Sequence, residues 1–249
     1  MPKFFVTNQY VDNNKIKIIG KDVNHLKNVL RKKIGDQITI CDTDSLIDYL
    51  CEITEFKGEE ITCHILEKLE TNSESNIKVT IFQGLPKADK MEFVIQKAVE
   101  LGSYDITPVE MKRCVVKLTN KDKIKKLQRW QKIAEVASKQ SGRNRIPKIN
   151  DIKSIKDICN LCTEYDIVIV AYENEKENRL KYELEKLKST QINNLKIAIV
   201  IGPEGGIDET EINLLKENGA KIVTLGNRIL RTETVALNIL SIIMYEFEV

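Results

Sequence analysis

Residues 196–206 read KIAIVIGPEGG, an apolar run that ends abruptly in a proline- and glycine-rich turn. Ile197, Ala198, Ile199, Val200 and Ile201 are apolar without alternation, which suits a strand buried on both faces, as in a parallel sheet covered by helices. Asp208 and Glu211 follow with the spacing of an N-cap and its capping-box partner, so a helix is expected over 208–218. Strand, glycine-rich turn and helix form the repeating unit of an α/β sheet, whose ligands bind where such turns leave the carboxyl ends of the strands. The turn lacks the Lys-Ser/Thr of a P-loop and the glycine spacing of a dinucleotide fingerprint. It suits a nucleoside-like ligand gripped by backbone better than a triphosphate.

The same alternation extends in both directions. Apolar strands are expected at 78–84, 106–110, 166–171 and 221–225, and helices at 89–101, 122–141, 173–187 and 232–245. On the first helix Met91, Val94, Ile95, Ala98 and Leu101 share a face, and Gly102 stands where a C′ residue stops it. The charge-rich stretch 173–188 reads as an exposed helix laced by i,i+4 pairs. Together these predict a mostly parallel sheet with helices on both faces.

Residues 1–70 differ. β-rich runs at 15–19, 37–41, 49–56 and 60–66 are separated by turn residues, which suggests a small β-barrel. A short helix over 22–30 interrupts them, with Asp22 as N-cap and Val23, Leu26, Val29 and Leu30 as its apolar face. The polar run ETNSESN at 70–76 reads as a linker.

Of the 249 residues, 42% are hydrophobic, enough for a sizeable core. No apolar run approaches the roughly 18 residues of a membrane span, and MPKFFVTNQY has no signal-peptide pattern, so a cytoplasmic protein is expected. Six cysteines are scattered, and only Cys159 and Cys162 have CxxC spacing; neither His25 nor His64 completes a metal set, so buried thiols and no metal are expected. Charge is distributed unevenly. From Lys112 to Lys148 there are 13 Lys or Arg against Asp122 and Glu135, a local +11 that leaves −9 elsewhere from a formal total of +2. That block mixes Arg113, Arg129, Arg143 and Arg145 with Trp130, Gln140, Ser141 and Asn144, an electrostatic footprint suited to RNA.

A second motif, LGNRILRTETVA, occupies 225–236. A strand ends at Leu225, the chain turns at Gly226, and a helix begins near Thr232, with Thr232 or Glu233 positioned for its cap. Two arginines in so short a connection are costly unless they serve anions or fix the loop.

Taken together, GPEGG at 202–206 and LGNRILRTETVAL at 225–237 resemble the SPOUT methyltransferases, and in particular the small-subunit ribosomal RNA uridine-N3 methyltransferases, the RsmE family. The likeness spans the chain: PKFF at 2–5, His25 with Val29-Leu30-Arg31, Gly35-Asp36, KADKMEFVIQKAVELG at 87–102, residues 113–117 and KIAEVASKQSGRNRIPKI at 132–149 all fit. The resemblance implies a PUA-like barrel at 1–70 and an α/β domain at 77–249 tied in a deep trefoil knot. It also implies a homodimer, S-adenosyl-L-methionine as cofactor, and methylation of N3 of a uridine in 16S ribosomal RNA of the small ribosomal subunit.

By the same resemblance, the cofactor is expected against Ala171, Tyr172, Glu173, Ile201, Gly202, Gly205, Gly206, Leu225, Gly226, Ile229, Leu230 and Ala236. Arg231 is expected to stabilise developing charge and Glu233 to act as base or orienter. Arg31, Arg113, Lys117 and Arg143 are expected at the RNA. The apolar face Val235, Ile239, Ile242 and Ile243 of the last helix permits a dimer. Two other readings stay open: a related knotted enzyme acting on tRNA or a ribose 2′-OH, and a non-catalytic RNA-binding or ribosome-assembly protein. The chain departs from the family pattern at Asp42-Thr43-Asp44-Ser45, where glycines are common, and at Asn8 and Gln9, where arginines are.

Overall fold

A computed structural model describes residues 3–71, 73–190 and 192–248; Pro2 of the PKFF stretch and Asn72 of the 70–76 segment lie outside them. The chain divides into two units, Met1–Glu74 with Ser138–Ile146, and Ser75–Ala137 with Pro147–Val249.

The first unit is built on a six-stranded sheet. Its strands are β1 (Lys3–Val6), β2 (Val11–Asp12), β3 (Lys15–Ile19), β4 (Gln37–Asp42), β5 (Ile47–Lys57) and β6 (Glu60–Leu69), in the order β1-β4-β5-β6-β3-β2. Apart from the parallel β1–β4 pair, neighbours run antiparallel. Alternation sets the faces: β3 buries Ile16 and Ile18 while Lys15, Lys17 and Ile19 point outward. Ile38, Ile40, Ile53 and Ile61 complete that core.

The expected helix at 22–30 is corrected. A single turn, α1 (Lys21–Asn24), starts after Gly20, whose φ of +72° makes it rather than Asp22 the N-cap. A π turn, His25–Val29, continues it, with the Leu30 N–H reaching back to the His25 carbonyl at 2.9 Å. The extra residue in that turn rotates the following side chains, so Val23 and Leu26 are buried while Val29 is 62% exposed and Leu30 also faces out.

Residues 138–146 are stitched into this unit by polar contacts. The buried Lys3 ammonium donates to the Gly142 carbonyl at 2.7 Å and pairs with Asp48 at 2.7 Å. Asn144, fully buried, donates to the Leu46 carbonyl and accepts from the Ser73 hydroxyl. Arg143 is 5% exposed, and its guanidinium is engaged by the Glu74 carboxylate. The sequence placed Arg143 at the RNA; buried and paired within the protein, it braces this segment instead.

The second unit carries a parallel sheet. Its strands are β7 (Lys78–Gly84), β8 (Asp105–Glu110), β9 (Lys148–Ile149), β10 (Lys153–Ser154), β11 (Ile167–Ala171), β12 (Lys196–Ile201) and β13 (Lys221–Val223). The order is β10-β8-β7-β12-β11-β13 with β9 on β8, and every pairing is parallel. As the apolar run predicted, Ile197 to Ile201 of β12 are all buried, between β7 and β11. Around the sheet lie α2 (Lys90–Glu100), α3 (Asn120–Ser141), α4 (Ile155–Leu161), α5 (Leu180–Ser189), α6 (Glu209–Glu217) and α7 (Thr232–Phe247). Asp208 and Glu211 form the expected capping box at the start of α6, and Gly102 ends α2 with φ +92°.

One expectation fails here, and two others are narrowed. Residues 173–179 are not helical: the Glu175 carboxylate accepts the N–H groups of Lys176, Glu177 and Asn178. Asn178 and Arg179 then run alongside Ile222 and Thr224, so long-range pairing overrides helix propensity. Trp130 is 3% exposed and belongs to the core, so it offers no surface for a base to stack on. On α7, Ile239 and Ile243 are also fully buried within the chain, so half of the face read as available to a dimer serves the internal core.

Candidate active site

Because β11, β12 and β13 are parallel neighbours, the segments that follow them emerge at one edge of the sheet. There they enclose a cavity of about 480 Å³ lined by residues 171–173, 201–204, 206–207 and 224–232, together with Lys90, Lys176 and Val235. Ten of the twelve residues expected at the cofactor line it: Ala171, Tyr172, Glu173, Ile201, Gly202, Gly206, Leu225, Gly226, Ile229 and Leu230. Gly205 and Ala236 do not; Ala236 is fully buried in α7, and Gly205 packs against Arg113, where a built Cβ would lie 3.1 Å from the Arg113 carbonyl oxygen.

The lining suits a nucleoside-sized ligand. Its volume lies in the range of small-molecule pockets, about 300–1,000 Å³, and Gly202, Gly206 and Gly226 stand in its wall. Gly226, at φ +113°, adopts a conformation that side-chain-bearing residues rarely take, and a Cβ there would meet open space. Gly206, at φ +72°, has no Cβ to clash with the Glu173 carboxylate beside it.

Arg231 lines the cavity as the N-cap residue of α7, is exposed, and has no side-chain ion pair among the described residues. Neither Thr232 nor Glu233 caps the helix. Thr232 instead donates its hydroxyl to the Gly202 carbonyl at 2.6 Å and accepts from Gln83 Nε2 at 2.8 Å. Glu233 is not part of the lining; its carboxylate lies 3.2 Å from the Lys90 ammonium, which does line it.

Lys90 was missed by sequence reasoning, as was its second partner Glu204, 3.1 Å away. Hydrogen bonds to Glu204 and then Glu233 push the Lys90 pKa up, holding the ammonium charged. Burial raises the Glu204 carboxyl, but its own N–H, Lys90 and the Lys87 N–H outweigh that and leave it lowered. Only the apolar face of 89–101 was read from the sequence. That Lys90 meets the GPEGG turn follows from β7 pairing with β12, a contact that no local pattern announces.

Of the residues expected at RNA, Arg113 sits at the outer side of that turn, donating to the Gly205 carbonyl at 3.3 Å and lying 3.6 Å from Asp208. Lys117 and Arg31 are exposed, Arg31 with φ +51°. In the basic block, Lys123 pairs with Glu110 and Arg129 with Glu92. All six cysteines are buried free thiols, Cys159 and Cys162 included.

Comparison with known proteins gives a consistent result. Residues 73–244 match the family model of an RNA methyltransferase domain, and residues 18–66 that of an RNA methyltransferase PUA domain. The chain is 37% identical to ribosomal RNA small subunit methyltransferase E of Bacillus subtilis over 93% of its length and 90% of the relative's. It is 33% identical to the Mesomycoplasma hyopneumoniae protein of the same name, over 97% and 98% of the two chains. Among solved structures, ribosomal RNA small subunit methyltransferase E from Neisseria gonorrhoeae bound to S-adenosyl methionine superposes with a TM-score of 0.84 at 30% identity, covering 98% of this chain and 97% of the other.

Proposed function

The chain belongs to the ribosomal RNA small subunit methyltransferase E family, and we propose that it methylates N3 of a uridine in 16S ribosomal RNA. It is an RNA methyltransferase that uses S-adenosylmethionine. The observation that carries the reading is the cavity bounded by the GPEGG and LGNRILRTET segments, with Lys90 and Arg231 among the cations in its lining.

When bound, S-adenosylmethionine supplies an activated methyl group. Ala171 to Glu173, Gly202, Gly206, Leu225, Gly226, Ile229 and Leu230 would hold it, largely through backbone. Alignment then accounts for much of the rate. The uridine imide must lose its N3 proton, and negative charge grows on the flanking carbonyl oxygens. Arg231 serves that charge from the start of α7. Lys90, held between Glu204 and Glu233, is another cation at the same cavity. Its contact with Glu233 supports an orienting role for that carboxylate rather than that of base. Arg113, Lys117 and Arg31 serve the RNA.

The same proposal includes a trefoil knot in the second unit, a barrel-like PUA fold in the first, a homodimer and a cytoplasmic setting. The knot is supported by Thr232, which returns the chain to Gly202 and Gln83 after the 224–231 segment. The test in cells is deletion of the gene followed by nucleoside analysis of 16S RNA. 3-Methyluridine should disappear and return on complementation; its persistence would overturn the proposal.

A further inference from the structure

The parallel-sheet unit has a second cavity, of about 530 Å³, at the carboxyl end of β8. Its floor is apolar: Met111 and Ile155 are 2% and 4% exposed, and Leu118 and Leu214 join them. Its rim carries Lys112, Lys117, Lys123 and Lys156. Lys123 pairs with Glu110, and Lys112 is held by Asp208 and Thr210. Lys117 and Lys156 are exposed and have no ion pair among the described residues.

A short run of contacts links the two cavities. Asp208 lies 3.4 Å from the Lys112 ammonium, which lines the second cavity, and 3.6 Å from the guanidinium of Arg113. Arg113 in turn donates to the Gly205 carbonyl, in the turn that bounds the first cavity. Both cavities therefore belong to the carboxyl edge of one sheet, linked through Lys112, Arg113, Gly205 and Asp208.

We propose that the second cavity receives the nucleotide adjacent to the methylated one, its base against Met111, Leu118 and Leu214 and its phosphate at Lys117 and Lys156. This rests on the RNA methyltransferase reading above. A base whose N3 meets the cofactor at the mouth of the first cavity must leave its stack, and the neighbouring base of a splayed single strand then needs an apolar surface of its own. Lysines at the rim supply the charge that a phosphate requires. The hydroxyls and carboxylates of this cavity are already engaged. Glu211 accepts the Lys112 N–H and the Asp208 N–H, Ser154 is tied to Asp157, and the Thr210 hydroxyl to Asp208. With those groups engaged among the described residues, the cavity selects for an unstacked base and tolerates its identity.

The test uses the full-length protein and small-subunit RNA carrying 4-thiouridine at either neighbour of the methylated position. Irradiation should crosslink one neighbour to peptides containing residues 111–118 or 154–156. In parallel, the Lys156→Glu variant should raise the KM for RNA about threefold or more, with kcat and calorimetric cofactor affinity unchanged. Lys181→Glu, on the exposed face of α5, is the charge-matched control and should behave as wild type. Crosslinks only to other peptides, no crosslink from either neighbour, or a KM equal to the control's would each overturn the proposal. Crosslinking needs no turnover, so failure of the wild-type protein to methylate this RNA would count against the enzymatic reading separately.

Discussion

The Thr232 hydroxyl donates to the carbonyl of Gly202 at 2.6 Å, joining the first turn of α7 to the GPEGG turn 30 residues earlier. Gln83 Nε2, from β7, donates to the same hydroxyl at 2.8 Å. Thr232 is 5% exposed and Gln83 fully buried, so one small side chain fastens three segments at the cavity. Thr232→Val keeps the shape, takes this donor from the Gly202 carbonyl and leaves Gln83 Nε2 with only its bond to the Gly84 carbonyl. Unfolding in urea should show a loss of about 1–3 kcal/mol, with weaker cofactor binding, while Thr232→Ser stays near wild type. A valine variant as stable and as tight-binding as the parent would remove this fastening role.

Lys90 lies 3.1 Å from Glu204 and 3.2 Å from Glu233 while lining the cavity. Lys90→Met should lower kcat for methyl transfer by on the order of 100-fold, the usual effect of removing one stabiliser of developing charge. Lys90→Arg should recover part of it. Cofactor affinity, measured by calorimetry, should change much less. If affinity falls as far as kcat, Lys90 acts only as a brace for the turn.

How far the sequence could be read depended on whether the deciding interactions were local. The capping box of Asp208 and Glu211, the two-sided burial of Ile197 to Ile201 and the stop at Gly102 are each set within a few residues, and all were legible. The missing helix at 173–179 was not, because Asn178 and Arg179 are claimed by Ile222 and Thr224 some 45 residues on. The cap expected of Thr232 failed for the same reason: Gly202 and Gln83 take its hydroxyl. Lys90 was hidden by the β7–β12 pairing, and Arg143 by Glu74. The part of the pocket carried by two contiguous motifs, Arg231 included, was therefore visible, and the ion pairs of Lys90 were not.

Arg113 and Arg143 looked alike as members of one basic block, yet they should behave oppositely. Removing Arg143 uncouples a buried ion pair with Glu74, which by analogy costs about 3–5 kcal/mol. Arg143→Ala should therefore lower the melting temperature sharply. Arg113 is half exposed at the GPEGG turn, so Arg113→Ala should leave stability within about 0.5 kcal/mol and weaken RNA binding. Filter binding and thermal unfolding of both variants check the contrast; equal effects on both measurements would contradict it.

Burial pushes the thiols of Cys51 and Cys63 up from 9.0 to about 12. A thiol whose pKa is raised by folding keeps its proton in the native state while the unfolded chain loses it. Stability from these groups is therefore intact below pH 9 and declines as pH rises from about 9 towards about 12. Urea midpoints measured from pH 8 to 11 should fall over that window. Cys51→Ala/Cys63→Ala should flatten the slope, and an unchanged slope would show that other groups set it. Native protein at pH 8 should also resist thiol-specific reagents, since all six cysteines are buried.

The most direct measurement is methyl transfer by the purified protein, with labelled S-adenosylmethionine, to small subunits or 16S RNA from cells lacking the modification. The RNA is then digested and the product nucleoside identified by mass spectrometry. Label should appear as 3-methyluridine at a single position, and Arg231→Ala should lower its rate of formation. A ribose-methylated nucleoside, or label in transfer RNA with none in 16S RNA, would contradict the assignment.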